Sequence, residues 1–166
     1  PPGAQLCPLA GGGMAGGLAF DIFPTQHDAG DACGYVFSLP DGRRAGFATD
    51  LGCFTDTVYD SLSGCEAVVL ESNYDAQMLE HSSYPRTLIR RIQGAWGHLS
   101  NDDCAAAAVR LAQSGVRRMV LAHTSKQNNL EDLALYTTRE ALRLAGLEEC
   151  VVEVAPKFSP SRVVVF

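Results

Sequence analysis

Three short apolar segments of this 166-residue chain each end on a carboxylate or an imidazole, and no other feature of the sequence constrains the fold as much. The end residues are Asp50, Glu71 and His123. Apolar runs of this length, bounded by polar residues, are typical of buried strands. A side chain at the end of such a strand has a rigid base and an open tip, and functional groups concentrate where loops leave a rigid scaffold. The pattern predicts a functional site on the rim of a sheet.

The order of strand-like and helix-like segments predicts an α/β fold with a mixed sheet. A tight turn at Pro40-Asp41-Gly42 indicates that the first strands pair antiparallel. Later strands alternate with helices, so we expect the helices to cover one face of the sheet. Strands are predicted over residues 18–23, 33–39, a segment ending at 50, and 67–70, 117–122, 150–154 and 163–166. Helices are predicted over residues 57–63, 74–80, 85–93, 100–115 and 129–146.

The first 17 residues are rich in glycine and proline, and we predict a loop or a truncated start there, followed by one folded region over residues 18–166. Residues 11–16 match the pattern G-x-G-x-x-G. That fingerprint must follow a strand and open a helix, whereas here a strand-like segment comes after it. We therefore interpret it as a flexible glycine loop. Because the chain begins with Pro1 and not with Met, we expect an N-terminal portion to be missing.

Composition excludes several classes of protein. The apolar content of 46% is ordinary for a globular domain, and no run approaches the roughly 20 apolar residues of a membrane helix. We expect a cytoplasmic protein without a membrane partner. The net charge of −6 gives no overall basic surface for nonspecific nucleic-acid binding. A phosphate-bearing partner would have to be held locally.

Each candidate metal-binding residue also has an ordinary structural explanation. His27 could be a turn histidine, Asp50 a turn aspartate, His98 a residue at a helix N-terminus and His123 a core histidine. Imidazole and carboxylate are, however, ligands that borderline divalent metals prefer, and all four residues lie at element ends. Their combination predicts a metal site. The fourth histidine of the chain, His81, lies in a polar stretch and is expected on the surface.

An ordered series of motifs resembles one protein family. The motifs are Thr49-Asp50-Leu51-Gly52, Leu70-Glu71-Ser72-Asn73-Tyr74-Asp75, Tyr84-Pro85, Arg91-Ile92, Gly97-His98-Leu99-Ser100-Asn101 and Leu121-Ala122-His123-Thr124-Ser125 with Asn128-Asn129. Together they resemble the metallo-β-lactamase-fold hydrolases, specifically the YycJ/WalJ branch related to RNase Z and RNase J. The resemblance covers roughly residues 18–166. It implies that the chain is the C-terminal half of an αββα sandwich.

The resemblance also implies roles for individual residues. His27 resembles the third histidine of one metal site, Asp50 the carboxylate that bridges two metals, and His123 the last histidine of the second site. His98 and Glu71 resemble the pair that assists proton transfer in the RNase Z relatives. The implied cofactors are two divalent ions, zinc or manganese, which activate water for hydrolysis.

One motif of the family is absent. The His-x-His-x-Asp-His motif supplies the remaining ligands from the N-terminal half, but no two histidines of this chain stand two residues apart. Three ligands cannot hold two metals. We therefore expect this chain to be inactive alone and to require the missing N-terminal half of the same domain as its partner.

Two groups of residues are candidates for substrate binding. Ser125, Asn128 and Asn129 could hydrogen-bond a phosphate near the start of a helix, although helix capping explains Asn129 equally well. Arg86 and Arg90 stand four residues apart on a predicted helix and could follow a nucleic-acid backbone. A solvated basic face explains these arginines equally well.

The leading functional hypothesis is a metal-dependent phosphodiesterase, an exonuclease that acts on nucleic acid, with DNA favoured over RNA. The first alternative is a small-molecule hydrolase acting on a lactone, a thioester or a cyclic phosphodiester, which fits the acidic net charge. The second is a non-catalytic half-domain that binds a partner through the face that the missing half would cover. An exposed apolar face of more than a few hundred Å² would indicate such an absent partner.

Overall fold

The structure is a computed structural model that describes residues 11–161. The described part contains one sheet of seven strands. They are β1 (Gly12–Ala15), β2 (Leu18–Pro24), β3 (Cys33–Ser38), β4 (Arg44–Ala48), β5 (Ala67–Glu71), β6 (Arg118–Ala122) and β7 (Val151–Val154). The strand predicted over residues 163–166 lies outside the described residues.

The strands lie side by side in the order in which they occur along the chain. The pairs from β1 to β4 are antiparallel and the pairs from β4 to β7 are parallel. Tight turns join antiparallel neighbours, whereas parallel neighbours need a longer crossover, which helices provide here. The predicted mixed α/β sheet is confirmed.

Five helices occupy the connections. They are α1 (Asp56–Leu62), α2 (Ala76–Glu80), α3 (Arg86–Ile92), α4 (Asn101–Gln113) and α5 (Glu131–Leu144). Helix α4 begins where its sequence predicts, because the side chain of Ser100 accepts a hydrogen bond from the backbone N–H of Asp103 at 3.0 Å. No described helix has both the length and the apolar character that crossing a bilayer requires.

Helices α1, α4 and α5 form a layer on one face of the sheet. Small residues let this layer come close to the strands, since a side chain at Gly46 would meet Leu62 of α1. The alanine run of α4 contributes Ala105, Ala107 and Ala108 to the buried interior. The largest buried side chains of the shared core are Leu51, Leu62, Leu70, Leu99, Leu111, Met119, Leu121 and Leu142.

The opposite face of the sheet carries a continuous apolar row. Side chains alternate between the two faces of a strand, so the neighbour of Gly46 in sequence, Phe47, points away from α1. Cross-strand pairing continues the row on either side of Phe47. Tyr35 and then Ile22 follow on one side, and Val69 and then Val120 follow on the other. Phe47 is 39% exposed. The other members of the row are half-buried, except Val120, which is buried with 8% exposure.

Strand β1 forms where the sequence indicated a flexible glycine loop. Ala15 pairs with Leu18, so only Gly16 and Gly17 connect β1 to β2. Both glycines have positive φ, 57° and 82°, which a two-residue hairpin of the type I′ kind requires. The glycine-rich segment is thus partly a hairpin, because two adjacent glycines are a turn signal as well as a flexible sequence.

The buried leucine of β6 offers a test of this packing. Leu121 is fully buried, and truncation to alanine leaves a cavity beneath the site-bearing rim. We expect Leu121→Ala to lower the free energy of unfolding by about 2–5 kcal/mol, as measured by urea denaturation followed by circular dichroism. The matched control is Leu144→Ala on α5, where the leucine is 73% exposed and the expected change is below about 0.5 kcal/mol. Equal losses for the two variants would contradict the described core.

Candidate metal centre

The site lies on the rim where three neighbouring parallel strands end. Strand β5 ends directly on Glu71, while Asp50 and His123 follow the flanking strands β4 and β6. The carboxyl ends of parallel strands lie at the same edge of a sheet, so the topology brings these three side chains together.

Asp50 and His123 share an unusual backbone conformation. Their φ angles are 56° and 57°, in the left-handed region that residues other than glycine rarely adopt. This conformation costs roughly 1–2 kcal/mol per residue, and such strain concentrates at functional sites. It turns the chain sharply at the end of each strand and directs both side chains over the rim.

The oxygen Oδ1 of Asp50 lies between two imidazole nitrogens. Its distance to Nε2 of His27 is 3.5 Å, and its distance to Nε2 of His123 is 3.8 Å. His27 joins the group from the loop after β2, where its Nδ1 lies 2.8 Å from the backbone carbonyl oxygen of Gly97. The three residues with metal-ligand roles implied by the resemblance therefore converge, although 73 residues separate Asp50 from His123 in sequence.

Glu71 is the buried centre of the site. Its Oε1 accepts hydrogen bonds from Nδ1 of His98 at 2.8 Å and Nδ1 of His123 at 2.6 Å. Its Oε2 accepts hydrogen bonds from the backbone N–H groups of Leu51 and Leu99 at 2.8 and 3.2 Å. Burial acts to raise the pKa of Glu71, but the hydrogen bonds from the two histidines and from Leu51 outweigh it and lower the pKa. The group is a carboxylate at neutral pH.

This carboxylate determines which nitrogen of each histidine is free. An ionised carboxylate only accepts hydrogen bonds, so Nδ1 of His98 and Nδ1 of His123 must carry protons. In the neutral imidazole, Nε2 then has the lone pair that a metal or a substrate proton can use. The hydrogen bond to Glu71 also raises the pKa of His123, because a nearby anion favours the imidazolium form. In many metal sites, a metal-binding histidine donates a hydrogen bond from its other ring nitrogen to a carboxylate.

The donor set fits a divalent metal. Asp50, Glu71, His98 and His123 each offer a ligand atom, and these atoms all lie within 4.8 Å of one another. Glu71, however, is fully buried and already accepts four hydrogen bonds, so it supports the ligands and does not join them. Tetrahedral ligands at bond lengths of about 2.1 Å stand about 3.4 Å apart, close to the spacing of Asp50 from its two histidines. The free donor atoms are a carboxylate oxygen of Asp50 and Nε2 of His27, His98 and His123, and the resemblance implies metal binding by His27, Asp50 and His123.

His98 belongs to this group of possible donors. Its ring is between those of His27 and His123, with centroids 4.8 and 5.2 Å away. Because Nδ1 is bound to Glu71, Nε2 is the atom left for chemistry in the adjoining cleft. His81 is exposed at the end of α2, as its sequence context predicts.

A cleft of about 330 Å³ adjoins the three histidines. Ser125 and Asn128, two of the candidate substrate residues, line it. Arg91 also lines it, and its guanidinium pairs with the carboxylate of Asp28 and thereby lowers the pKa of Asp28. The sequence interpretation named Arg86 and Arg90 on the same helix, but neither lines the cleft. Arg91 lies on a different side of the helix from Arg86, but the sequence alone does not show which side faces the cleft.

Asn129 has a structural position that leaves it no group for a substrate. Its side chain is buried, with 1% exposure, and its Nδ2 donates to the carbonyl oxygens of Ser72 and Asn73 and to Oδ1 of Asn101. Its Oδ1 accepts from Asn101 and from the backbone N–H of Leu130. Helix α5 accordingly has Leu130 as its N-cap, and neither phosphate binding nor simple capping describes Asn129. It links three chain segments beneath the rim.

Comparison with known proteins gives one family and several relatives. Residues 7–124 match the family described as "Beta-lactamase superfamily domain". The chain is 32% identical over 131 residues to exodeoxyribonuclease YycJ of Bacillus anthracis, covering 79% of this chain and 49% of that protein. It is 32% identical over 132 residues to exodeoxyribonuclease WalJ of Streptococcus pneumoniae, covering 80% of this chain and 49% of that protein.

The fold is also similar to that of solved structures. The metallo-β-lactamase fold protein YhfI of Bacillus subtilis matches with a TM-score of 0.60 at 13% identity, over 87% of this chain and 49% of that chain. At this identity the likeness concerns the fold alone. The chain spans about half the length of the curated relatives it matches.

The role of Glu71 can be tested by removing its charge and keeping its shape. In Glu71→Gln, one acceptor oxygen is replaced by an NH2 donor. If this NH2 group faces the imidazoles, His98 and His123 can restore their hydrogen bonds only by moving the proton from Nδ1 to Nε2; if it faces Leu51 and Leu99, their N–H groups lose their acceptor. We expect zinc affinity, measured by competition with a chromophoric chelator, to fall by about 10- to 100-fold. Nitrogen-15 NMR of the imidazoles should report the change of tautomer. The control Glu80→Gln alters an exposed carboxylate on α2 and should leave both readouts unchanged; an unchanged zinc affinity in Glu71→Gln would contradict the role given to Glu71.

Proposed function

Because the chain belongs to the β-lactamase superfamily, we propose that its rim site is one half of the metal centre of a hydrolase that cleaves phosphodiester bonds in nucleic acid. The observation that carries this proposal is the convergence of His27 Nε2 and His123 Nε2 on Asp50 Oδ1. Two imidazoles and one carboxylate form a donor set suited to a divalent ion at an open site. Hydrogen bonds at Nδ1 fix the orientation of both imidazoles.

The relatives indicate the substrate class. YycJ of Bacillus anthracis and WalJ of Streptococcus pneumoniae are named exodeoxyribonucleases. We infer a nuclease from these names and DNA as the substrate in preference to RNA. The chain covers about half of each relative, so the inferred activity belongs to a protein that also carries the other half.

In this proposal, His27, Asp50 and His123 would hold divalent ions, zinc or manganese. Such ions would polarise a phosphoryl oxygen and make hydroxide available near neutral pH. Nε2 of His98 is a further free donor atom on the described part of this rim, and the proposal assigns it to proton transfer. The remaining ligands would come from the N-terminal half of the fold.

His98 and Glu71 serve proton transfer. Glu71 fixes the proton of His98 on Nδ1, which leaves Nε2 to exchange a proton with the leaving oxygen in the cleft. Glu71 acts through His98 and is therefore a positioning residue.

The cleft supplies groups for a phosphodiester. Asn128 lines it, and its side chain forms no hydrogen bond within the described residues. Ser125 lies beside it, and its hydroxyl accepts from the backbone N–H of Asn128 at 3.2 Å. Arg91 also lines the cleft, where its guanidinium pairs with Asp28. These three residues are our candidates for contact with the phosphate at the site.

The partner in this proposal is the N-terminal half of the same domain. The apolar row on the open face of the sheet, which includes Phe47 and Tyr35, supports it, because exposed apolar surface of this kind favours contact with another protein layer. The same face would serve a non-catalytic half-domain, so activity measurements on a protein with both halves separate these two functions.

The two kinds of site residue should behave differently when replaced in a protein that carries both halves. Asp50→Ala removes a carboxylate that holds metal, so metal content and activity should be lost together. His98→Ala removes a proton donor that does not bind metal, so metal should be retained while the turnover rate falls by about 10²- to 10⁴-fold. Metal is measured by plasma mass spectrometry, and activity on a 5′-labelled single-stranded DNA.

The matched control is His81→Ala, which removes an exposed histidine outside the site and should change neither quantity. Loss of metal from His98→Ala would make His98 a ligand and overturn the division of roles. Hydrolysis of small phosphodiesters without any cleavage of DNA would favour the small-molecule hydrolase instead.

A further inference from the structure

A rigid loop beside the metal site carries the single tryptophan of the chain, Trp96, which is 58% exposed. The loop, residues 94–97, joins α3 to the segment that holds His98. Most large aromatic side chains are buried, and an exposed one at the edge of a site points to a binding surface.

Hydrogen bonds hold this loop to the metal-binding residues. The carbonyl oxygen of Trp96 accepts from the backbone N–H of Asp28 at 2.9 Å. The carbonyl oxygen of Gly97 lies 2.8 Å from Nδ1 of His27. The backbone that presents Trp96 is therefore the backbone that orients His27.

Close packing fixes the loop further. A Cβ atom at Gly52, two residues after Asp50, would lie 2.1 Å from the carbonyl oxygen of Ala95. A Cβ atom at Gly97 would lie 2.1 Å from the carbonyl oxygen of Ile92. Only glycine fits at both positions. The backbone that carries the indole of Trp96 therefore has little conformational freedom.

Trp96 borders a groove of about 410 Å³ that also reaches His27. His27 thus separates this groove from the cleft of the site. The groove is lined by side chains with hydrogen-bonding groups, among them Thr25, Gln26, Thr55 and Thr57. Thr25 is 8% exposed, and its buried hydroxyl has no partner within the part of the chain that the structure describes. This hydroxyl oxygen is itself buried, so a polar ligand in the groove would contact Gln26, Thr55 and Thr57 instead.

Positive charge lies on the helix that leads into the loop. Helix α3 carries Arg86, Arg90 and Arg91, all exposed, and Arg91 reaches the cleft. Arginines that follow a phosphate backbone beside an aromatic ring that stacks on a base are the combination used by proteins that bind single strands. The groove itself contains Asp31 and so offers no second phosphate site.

We propose that Trp96 stacks on an unpaired base of a single-stranded nucleic acid, next to the phosphodiester held at the metal site. This inference rests on the proposed nuclease function and adds to it the form of the substrate. An apolar face with a polar groove beside it suits a base, which has a flat ring and a hydrogen-bonding edge. A paired base in a duplex does not offer its ring face.

The test measures binding of a fluorescein-labelled single-stranded (dT)12 by anisotropy, with EDTA present to prevent cleavage and with a protein that carries both halves of the fold. Trp96→Ala should weaken binding by about 5- to 150-fold, the range for loss of one stacked base. Trp96→Leu keeps apolar bulk without an aromatic ring and should lose as much. Trp96→Phe keeps a ring and should retain most of the affinity.

The matched control is Tyr136→Ala, which removes an aromatic side chain of similar exposure, 65%, from α5 in the helical layer, and it should bind as the unaltered protein does. A second arm uses blunt duplex DNA, for which Trp96→Ala should cause less loss than for the single strand.

Unchanged binding of the single strand by Trp96→Leu would overturn the inference, and so would equal losses for Trp96→Phe and Trp96→Leu. An unaltered protein that cleaves DNA while its Trp96 variants bind normally would refute the stacking role and leave the nuclease function standing. An unaltered protein that neither binds nor cleaves either DNA would instead refute the nuclease function.

Discussion

The buried carboxylate of Glu71 is the interaction on which the rim depends. Burying an unpaired charge is costly, and Glu71 compensates by accepting four hydrogen bonds, two from imidazoles and two from backbone N–H groups. The two backbone donors, Leu51 and Leu99, directly follow Asp50 and His98. One side chain therefore fixes the loop after β4, the segment before α4 and the ring of His123, and removing its charge affects all three.

The sheet topology itself brings the groups around Glu71 together. Strand β5 lies between β4 and β6, so Glu71 at its end is equidistant in strand order from Asp50 and His123. The left-handed backbone at these two residues is held by neighbouring hydrogen bonds, since Nδ2 of Asn73 donates to the carbonyl oxygen of His123 at 2.7 Å. The buried links through Asn129 hold Asn73 in turn. This buried network of hydrogen bonds thus stabilises the strained backbone at the rim.

The sequence predicted those features that depend on local pattern. Strands that stop on Asp50, Glu71 and His123 were visible because apolar runs ended there, and helix α4 was visible because Ser100 marks its start. The position of Asn129 was not predictable. An asparagine before a helix can cap that helix or join a buried hydrogen-bond network, and its neighbours in the folded structure decide between the two. The choice of Arg91 over Arg86 and Arg90 depends on how α3 lies against the cleft, which sequence spacing does not give.

Both the rim and the loop of Trp96 are held by hydrogen bonds, but their exposure differs. Glu71 is fully buried and His98 is half-buried, whereas Asp50 and His123 expose 43% and 42% of their side chains. The arginines of α3 and the indole of Trp96 are exposed, and they lie on one side of His27 and His98. In the proposed function, a substrate that enters the cleft along this side would contact Arg91 and the indole as well as the imidazoles. Because the loop of Trp96 also holds the ring of His27 through Gly97, contact with a substrate is coupled through a few backbone atoms to the geometry of the metal ligands.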